Sequence, residues 1–367
     1  MARRYEAITV IGCGAWGTAL AAVAARAGAH TTIWGRDPQV LNAIREQGMN
    51  TRYLPDIPLP NSLQADADMG PALAGAEAVM IVVPSRVLRS VCAQVAEHIA
   101  PGVPVAVCAK GIEAETGLLM TQVAAQELGD RPVGVISGPT FAHETALNNP
   151  TAATVAFPFT KADRENPNES VAARFAVSLS TEAFRAYVSD DVVGVEIGGA
   201  VKNVVAVACG MMTGAGFAEN TRAALITRGM DEMKTIADAL GGRRETVTGL
   251  SGAGDLTLTC SSPTSRNMSL GTQLGQGIPR GECFEGRPVV VEGEVNARSV
   301  AQLADKLGLD LPICRAVNAI LHEGAPLGQT FAELWSRPIE AEPRAMDVLF
   351  DHPANPAAIA NLAERIS

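Results

Sequence analysis

The sequence contains few aromatic residues, no excess of basic charge and no closely paired cysteines. Aromatic side chains make up only 4% of the 367 residues, whereas 47% are hydrophobic, so the cores are expected to consist of Ala, Val, Leu and Ile. This hydrophobic fraction excludes a largely disordered chain. The net charge of −10 argues against a nucleic-acid-binding protein, which normally carries a basic face. A small anionic substrate remains compatible, because one local cluster of donors suffices to bind a phosphate.

The sequence also lacks the features of membrane and secreted proteins. No apolar run approaches the ~20 residues that span a bilayer. The apolar stretch after Arg3 and Arg4 becomes glycine-rich too soon to be a signal-peptide core. The seven cysteines are scattered and never form a C-x-x-C pair, which favours buried free thiols over disulfides or zinc ligands. We therefore expect a cytoplasmic protein without a membrane segment or a structural metal.

The first half of the chain alternates short β-branched runs with Ala- and Leu-rich stretches. Strands are predicted at Ile8–Gly12, Thr31–Gly35, Ala78–Pro84, Val103–Ala109, Val133–Gly138 and Ala152–Phe157. Between them, helical composition predicts helices at Gly17–Ala27 and Val87–Ile99. Because the strands are almost wholly apolar and alternate with helices, they predict a parallel, doubly wound sheet covered on both faces.

The character of the chain changes after about Asp190. Strand-like runs disappear, and helical stretches rich in small residues dominate to about Leu334, which predicts a mostly helical second domain. The expected limits are 1–190 for the first domain, 191–340 for the helical domain and 341–367 for an acidic tail with one short helix. Within the first domain, the polar segment Pro158–Ser170 is predicted to be a surface loop or insertion.

A glycine-rich turn directly follows the first predicted strand and opens the first helix. It places Gly12, Gly14 and Gly17 in a G-x-G-x-x-G pattern. The glycines permit a tight turn, a close approach of backbone to a pyrophosphate, and close packing of helix on strand. The helix N-terminus then directs free N–H groups at the phosphates. This position in the chain predicts a dinucleotide site, the alternative being a structural turn in an unrelated α/β fold.

The end of the second strand should carry the residue that contacts the adenosine ribose. A carboxylate there hydrogen-bonds the 2′-hydroxyl of NAD, whereas an arginine accommodates the 2′-phosphate of NADP. The first charged residue is Arg36, which slightly favours NADP, but Asp37 follows directly and keeps NAD open. Pro38 suggests that Asp37 instead turns the chain. Arg36 could also be an ordinary exposed arginine of a loop.

Reduction of a ketone by a nicotinamide requires a group that protonates the developing alkoxide. Lys202 is the best candidate, because it lies near the start of a predicted apolar helix (Ala200–Gly210) just after Gly198-Gly199. Apolar neighbours and a second cation, for which Lys110 is suited, would lower the pKa of such a lysine. The alternative is that Lys202 is a surface lysine in the first turn of a helix.

Two polar segments lie in the second half of the chain. Asp255 stands alone in a glycine-rich stretch, where it could orient and charge-balance a catalytic lysine or merely form a turn. Arg266 and Asn267 end a Ser/Pro/Thr-rich loop, and Arg266 with Ser265 would suit a phosphate through forked hydrogen bonds. The alternative is a helix-capping segment with a solvated arginine. The histidines show no comparable arrangement, and no spacing supports a metal site.

Taken together, these segments resemble the bacterial-type NAD(P)-dependent glycerol-3-phosphate dehydrogenases. The resemblance runs in order from the glycine turn at Gly12 to Leu334–Pro338. Its most specific motifs lie at Lys110–Glu113, Ser137–Ala142, Gly198–Asn203, Asn220–Gly229, Gly254–Leu256, Ser265–Asn267 and Val290–Gly293. It implies an α/β Rossmann-like N-terminal domain with an all-α C-terminal domain, usually assembled as a homodimer. The implied activity interconverts sn-glycerol 3-phosphate and dihydroxyacetone phosphate for phospholipid synthesis.

The resemblance also implies roles for individual residues. Lys202 matches the proton acceptor of the family. The implied substrate-binding positions are Lys110, Gly138, Thr140, Lys202, Asp255, Ser265, Arg266 and Asn267. The implied cofactor-binding positions are Gly12, Gly14, Trp16, Gly17, Arg36, Lys110, Ala142, Arg266, Val290 and Glu292. His143 departs from the lysine that many members carry after Thr-Phe-Ala, and Pro158–Ser170 and the acidic tail exceed the family pattern.

Two other functions fit parts of the sequence. A related β-hydroxyacid dehydrogenase would share the domain plan and the lysine proton donor, but it would have no use for the Ser265–Asn267 phosphate segment. A non-catalytic NAD(P)-sensing module could keep the fold, although loss of Lys202 or Lys110 would then be expected, and both are present.

Overall fold

The computed structural model describes residues 2–342 and 348–366 of the chain. These residues form two compact units, one of residues 2–200 with 237–255 and the other of 201–236 with 256–342 and 348–366. This division differs from the predicted domain limits, because the chain returns to the first unit at 237–255. The limits of 1–190, 191–340 and 341–367 stay a prediction.

The first unit contains ten strands. They are β1 (Ala7–Ile11), β2 (His30–Trp34), β3 (Met49–Asn50), β4 (Leu54–Pro58), β5 (Gln64–Asp66), β6 (Ala78–Ile81), β7 (Val105–Val107), β8 (Val133–Ser137), β9 (Thr151–Ala156) and β10 (Phe184–Ser189). Eight of them form one sheet in the order β10-β9-β8-β7-β6-β1-β2-β5, and β3 and β4 form a separate hairpin. All six predicted strands are confirmed, whereas β3, β4, β5 and β10 were not predicted.

Eight helices that lie before Asp190 in the first unit cover the sheet. They are α1 (Ala15–Arg26), α2 (Pro38–Gln47), α3 (Met69–Leu73), α4 (Leu88–Ala96), α5 (Met120–Leu128), α6 (Ala142–Ala146), α7 (Lys161–Glu165) and α8 (Val171–Leu179). Ile8 and Val10 of β1 pack in one apolar cluster with residues of α1 and α8, and Val79 and Ile81 of β6 pack in another with residues of α4 and α5. The predicted covering of both faces is therefore confirmed, as are the helices at 17–27 and 87–99.

The prediction of a wholly parallel sheet is wrong at one end. The six neighbouring strands β5, β2, β1, β6, β7 and β8 are parallel. Strand β9, however, pairs antiparallel with β8, and β10 runs parallel to β9. After β8 the chain stays at the carboxyl edge of the sheet, forms α6 and enters β9 from that same edge. Apolar composition shows that β9 is buried but says nothing about its direction.

Two further expectations are refined. Pro158–Ser170 lies on the surface as expected, but it contains α7, which Thr160 caps by accepting from the Asp163 N–H, and a 3₁₀ turn at Pro167–Glu169. All seven cysteines are free and buried, which confirms the expected thiols.

Helix α9 (Val192–Gly214) belongs to both units. The remaining helices are α10 (Glu219–Ala239), α11 (Arg244–Val247), α12 (Asp255–Ser261), α13 (Arg266–Gly275), α14 (Glu292–Leu307), α15 (Pro312–His322), α16 (Leu327–Trp335) and α17 (Pro356–Ile366), of which α11 lies in the 237–255 segment of the first unit. The second unit is therefore helical as predicted, apart from a two-stranded ribbon of β11 (Ile339–Glu340) and β12 (Leu349–Phe350). Helix α17 confirms the short helix of the tail; residues 343–347 of that tail lie outside the described part of the chain.

Within the second unit, glycines set the distance between α9 and α13. A Cβ at Gly210 would lie 2.3 Å from the Met268 carbonyl oxygen, and one at Gly271 would lie 2.1 Å from the Val207 carbonyl oxygen. No such distance is compatible with a side chain, so the two helices pack backbone against backbone. Small residues at helix crossings permit this close approach.

Helix α9 also corrects the statement that no run is long enough to span a bilayer. Its 23 residues have a hydropathy of 1.7 in the most apolar window, which satisfies a criterion of length and composition. However, 89% of that window is buried inside the protein. The sequence-based count missed the helix because Glu196 and Lys202 interrupt its apolar run.

One buried carboxylate links α9 to α5. Glu196 is only 5% exposed, and it accepts a 2.9 Å hydrogen bond from the Thr121 N–H and another from the Thr121 hydroxyl. Burial raises the pKa of Glu196 to about 7, and the hydrogen bonds from Thr121 only partly oppose the shift. Desolvation disfavours the ionised form even at a helix N-terminus.

We predict that this group makes stability depend on pH. Because its pKa is higher in the folded than in the unfolded chain, its stabilising contribution is complete below pH ~4.5 and is lost as the pH rises through about 7. Glu196→Gln should abolish this dependence, which amounts to about 3 kcal/mol at roughly 1.4 kcal/mol per pKa unit. Urea unfolding of both proteins at pH 5 and pH 7.5 measures it; parallel changes in the two proteins would contradict the assignment.

Candidate active site

The glycine-rich turn has the geometry expected of a pyrophosphate site. A Cβ at Gly12, where φ is 121°, would lie 2.2 Å from the Val82 carbonyl oxygen, and one at Gly17 would lie 1.8 Å from the Gly12 carbonyl oxygen. These two glycines are required by the packing of strand, turn and helix. A Cβ at Gly14 would meet no heavy atom within 4 Å. Gly14 therefore borders open space at the point where a ligand would approach the backbone.

The first turn of α1 faces this space without a side-chain cap. Gly14 is the N-cap residue, and no side chain bonds the N–H groups that follow it. A helix N-terminus of this kind attracts anions through its free N–H groups and its dipole. Trp16, in the same turn, is partly buried, and its Nε1 has no hydrogen-bond partner within residues 2–342 and 348–366. The residues present thus fit a dinucleotide phosphate.

Asn50 supports the turn, although the sequence analysis did not identify it. Its Nδ2 donates to the Cys13 carbonyl oxygen at 2.9 Å and to Thr18 Oγ1 at 2.8 Å, and its Oδ1 accepts from the Tyr53 N–H at 3.1 Å. The side chain is fully buried. An isolated asparagine in a short irregular segment gives no sequence signal, and only the fold brings β3 against the turn.

The two charged residues after β2 have different environments. Arg36 is exposed and has no hydrogen-bond or ion-pair partner in the part of the chain that the structure describes. Asp37 caps α2 by accepting from the Gln39 N–H at 3.0 Å, and its other oxygen pairs with Arg52 Nη1 at 2.5 Å. The interpretation of Asp37 as a residue that turns the chain is confirmed, and both of its carboxylate oxygens are engaged.

Lys110 follows β7 and forms a buried ion pair. Its Nζ lies 2.7 Å from Asp255 Oδ2, with side-chain exposures of 14% and 2%, and 3.2 Å from the Gly138 carbonyl oxygen. The Thr140 hydroxyl donates to the same carbonyl oxygen at 3.2 Å, and Ala142 begins α6 directly afterwards. The predicted residues at the ends of β7 and β8 are therefore brought together. Asp255 thus forms an ion pair with Lys110, and its role toward a catalytic lysine stays a prediction.

Helix α9 packs against the Lys110 side chain and against the turn that leads to Asp255. A Cβ at Gly199 would lie 2.7 Å from Ser137 Oγ and 3.3 Å from Lys110 Cγ. A Cβ at Gly198 would lie 2.7 Å from the Ser251 carbonyl oxygen, in the π-helical turn Leu250–Gly254 that leads to Asp255. The Gly-Gly pair is therefore needed for a close approach of the helix backbone.

Lys202 lies in the middle of α9, so its predicted position near a helix start is wrong. The helix begins at Val192 because Asp191 accepts from the Gly194 N–H at 2.9 Å and thus caps it. The lysine is 6% exposed, which excludes the alternative of a surface lysine. Its Nζ donates to Thr259 Oγ1 at 2.7 Å. Thr259, on α12, was not identified from the sequence, since a threonine in a Thr/Ser-rich run carries no distinguishing signal.

Asn203, the residue after Lys202, belongs to a network of buried hydrogen bonds in the second unit. Asn267 Nδ2 donates to Asn203 Oδ1 at 2.8 Å, and Asn203 Nδ2 donates to Glu292 Oε2 at 3.3 Å. Asn267 Oδ1 also accepts from the Gly293 N–H at 2.8 Å. These bonds tie α9 to the first turns of α13 and α14. Asn203 joins the others although the sequence analysis gave it no role of its own.

The remaining predicted residues lie at the same helix starts. Ser265 is buried and caps α13 by accepting from the Met268 N–H at 3.3 Å. Arg266 is the first residue of α13; it is exposed and has no partner among the described residues. Val290 is 39% exposed and lies just before α14. The segment is therefore helix-capping, as one interpretation held, and it leaves its arginine available.

Comparisons with known proteins agree with this geometry. The family model of the NAD-dependent glycerol-3-phosphate dehydrogenase N-terminus matches residues 7–163, and that of the C-terminus matches residues 191–332. The chain belongs to the NAD-dependent glycerol-3-phosphate dehydrogenase family. The sequence-based resemblance is thereby confirmed.

Individual relatives match over almost their whole length. The chain is 44% identical to a glycerol-3-phosphate dehydrogenase [NAD(P)+] of Caulobacter vibrioides over 92% of this chain and 99% of the relative, and 45% identical to that of Rhodospirillum rubrum over 91% and 93%. The crystal structure of the Coxiella burnetii glycerol-3-phosphate dehydrogenase matches with a TM-score of 0.82 at 38% identity, over 91% of this chain and 99% of that chain. The family's Rossmann-like domain and helical domain are thus both present here.

Proposed function

We propose that the protein interconverts sn-glycerol 3-phosphate and dihydroxyacetone phosphate with NAD(P)(H), and that it supplies glycerophospholipid synthesis. The observation that carries the proposal is Lys202, a lysine 6% exposed whose Nζ is held by Thr259 Oγ1. A buried amine in a fixed position is suited to exchange a proton with an alcohol or alkoxide. Membership of the family supplies the substrate class.

The cofactor is assigned to the glycine-rich turn and the residues that flank it. Gly12, Gly14 and Gly17, with the uncapped start of α1, would hold the pyrophosphate. The other residues assigned to cofactor binding are Trp16, Arg36, Lys110, Ala142, Arg266, Val290 and Glu292. When bound, the reduced nicotinamide supplies a hydride to the carbonyl carbon.

Lys202 is assigned the role of general acid and base. In the direction of reduction its Nζ gives a proton to the carbonyl oxygen as that oxygen becomes an alkoxide, and in oxidation it takes the proton back. Thr259 Oγ1, 2.7 Å away, accepts a hydrogen bond from the ammonium and so restrains its direction. The Asn203–Asn267 amide pair holds the neighbouring turn of α9 against α13.

Lys110 is assigned to contact the substrate. Its pairing with Asp255 fixes the ammonium at the edge of the sheet, and the Gly138 carbonyl oxygen and Thr140 hydroxyl lie beside it. An ammonium group has three N–H donors, so Lys110 can bond Asp255 and still donate to substrate oxygens. Asp255, Gly138 and Thr140 complete this group of proposed substrate contacts.

The substrate phosphate is assigned to Arg266, with Ser265 and Asn267. Arg266 is exposed at the start of α13, where the helix dipole also favours an anion, and no carboxylate of the described residues competes for it. A β-hydroxyacid substrate without a phosphate would make no use of this arginine. A steady-state assay of dihydroxyacetone phosphate with NADH and NADPH, alongside a non-phosphorylated hydroxy acid, tests the function; turnover of the hydroxy acid alone would overturn it.

The assembly and location proposed here follow from the family. We expect a homodimer in the cytoplasm that binds neither nucleic acid nor membrane, in line with the net charge of −10. Sedimentation equilibrium measures the assembly directly.

We predict that Lys202→Ala abolishes turnover while cofactor affinity is kept. Removing a general acid typically reduces the rate by about 10²–10⁴-fold, whereas the proposed pyrophosphate contacts lie on α1. The kcat and the dissociation constant of NADH are measured together, with the exposed Lys161→Ala as control. A kcat close to that of the wild type would leave Lys202 as a structural lysine only.

Arg266→Lys is predicted to raise the KM for dihydroxyacetone phosphate more than tenfold. The substitution keeps the charge but loses the forked donors, in line with the ~1.5–3 kcal/mol of a hydrogen bond to a charged group. Arg287→Lys, at an exposed arginine paired with Glu285, is the matched control. If the KM does not change, the phosphate is bound elsewhere.

Arg36 is predicted to make NADPH at least as good a cofactor as NADH. Asp37 is engaged by Gln39 and Arg52, so it does not oppose a 2′-phosphate as a free carboxylate would. Arg36→Ala should lower kcat/KM for NADPH more than for NADH, by roughly 1–3 kcal/mol. Both constants are measured at one ionic strength, with Arg45→Ala on α2 as control. An equal loss for both cofactors would show that Arg36 does not touch the 2′ position, and a strong wild-type preference for NADH would show that Asp37 sets the choice.

A further inference from the structure

Glu196 occupies a place that the proposed chemistry leaves unexplained. It is a carboxylate 5% exposed on the mostly apolar helix α9, one turn before Gly199. Burying an ionisable group is unfavourable unless its partners are fixed. A buried carboxylate on this helix therefore needs partners that compensate for its desolvation.

Its partner is the start of α5, where Gln122 Oε1 accepts from the Leu119 N–H at 2.9 Å but the N-cap side chain offers no acceptor to the N–H groups that follow. The N-cap residue is Leu119, whose side chain makes no capping hydrogen bond. Glu196 supplies the missing acceptor from another helix, since it receives both the N–H and the hydroxyl of Thr121. A carboxylate at a helix N-terminus also interacts favourably with the helix dipole. The bonds therefore hold α9 at one place along α5.

The residues just after Glu196 pack next to the Lys110–Asp255 ion pair. Gly198 lies against the Ser251–Gly252 backbone that leads to Asp255, and Gly199 lies against the side-chain stem of Lys110. There is no room between α9 and this backbone even for a methyl group, because a Cβ at Gly198 would be only 2.7 Å from the Ser251 carbonyl oxygen. A small displacement of α9 would thus move Lys110 or Asp255.

We propose that Glu196 is a positioning residue of the dehydrogenase reaction: by anchoring α9 to the first turn of α5, it fixes the helix on which Lys110 and Asp255 rest. The proposal depends on the proposed function, in which Lys110 contacts the substrate. Glu196 itself touches neither member of the pair, and it acts through the helix backbone.

The test removes the anchor without removing volume. Glu196→Leu loses both acceptors, so kcat/KM for dihydroxyacetone phosphate should fall at least tenfold. Glu196→Gln keeps an oxygen for the Thr121 N–H and an amide for the Thr121 hydroxyl, so it should retain most of the activity. If Glu196→Leu does not fold, Thr121→Val and Thr121→Ser give the same comparison, with only the serine variant retaining activity.

Glu232 offers a matched control in the second unit. It is 2% exposed and caps α15 by accepting from the N–H groups of Ile313 and Cys314, at 2.6 and 3.0 Å. Glu232→Leu should lower the melting temperature as much as Glu196→Leu does, but change kcat/KM less than threefold at equal folded fraction. Equal losses of activity in the two leucine variants, or a loss in Glu196→Gln equal to that in Glu196→Leu, would overturn the proposal.

A second measurement separates this proposal from the proposed function. The rate at which acetic anhydride labels Lys110, followed by mass spectrometry, reports the surroundings of its amine whether or not turnover occurs. The rate should rise severalfold in Glu196→Leu and stay unchanged in Glu232→Leu. Wild-type protein without activity would overturn the proposed function, whereas unchanged labelling in Glu196→Leu would overturn the anchoring role of Glu196.

Discussion

The close approach of α9 to the backbone of its neighbours is the constraint on which the candidate site depends. At Gly198 and Gly199 the helix lies where no side chain would fit, against the Ser251–Gly252 backbone and the Lys110 stem. Interiors are packed to the density of organic crystals, so such contacts transmit position rather than absorb it. The Lys110–Asp255 ion pair is thus held by packing as much as by charge. A side chain at Gly199 would press against the Lys110 side chain, and one at Gly198 would press against the turn that leads to Asp255.

Glycines also permit close backbone contacts between helices of the second unit. Gly210 and Gly271 bring α9 and α13 into backbone contact, and Gly293 lies over the Asn203 carbonyl oxygen, where a Cβ would be 2.4 Å away. The Asn203–Asn267 hydrogen bond then fixes the rotation of the helices that packing alone leaves free. Buried amides are favourable only when every donor and acceptor is satisfied, so they select one arrangement. These hydrogen bonds therefore also fix the positions of the first turns of α13 and α14, which carry Arg266 and Glu292.

The sequence predicted those parts of the structure that depend on local chemistry. A few adjacent residues are enough to identify the apolar strands, the glycine turn after β1 and the Gly-Gly pair before Lys202. The direction of β9 was not predictable, because an apolar strand looks the same in either orientation. Lys202 was misplaced along its helix because the capping residue, Asp191, lies eleven positions earlier in a stretch with no other start signal. Asn50, Thr259 and Glu196 were missed because their partners come from distant segments that only the fold brings together.

An acidic protein that binds two phosphorylated ligands, as proposed, must present positive charge locally. At physiological ionic strength, charges beyond about 8 Å are largely screened, so the net charge of −10 matters less than the nearest few side chains. Many arginines here are tied to carboxylates: Arg89 pairs with Glu113 and Glu127, and Arg280 pairs with Glu294. Arg36 and Arg266 are exposed and have no such partner in the described segments. An arginine already paired would have to give up its carboxylate before it could bind a phosphate. Arg36, directly after β2, and Arg266, at the start of α13, would each meet an anion without first giving up a carboxylate.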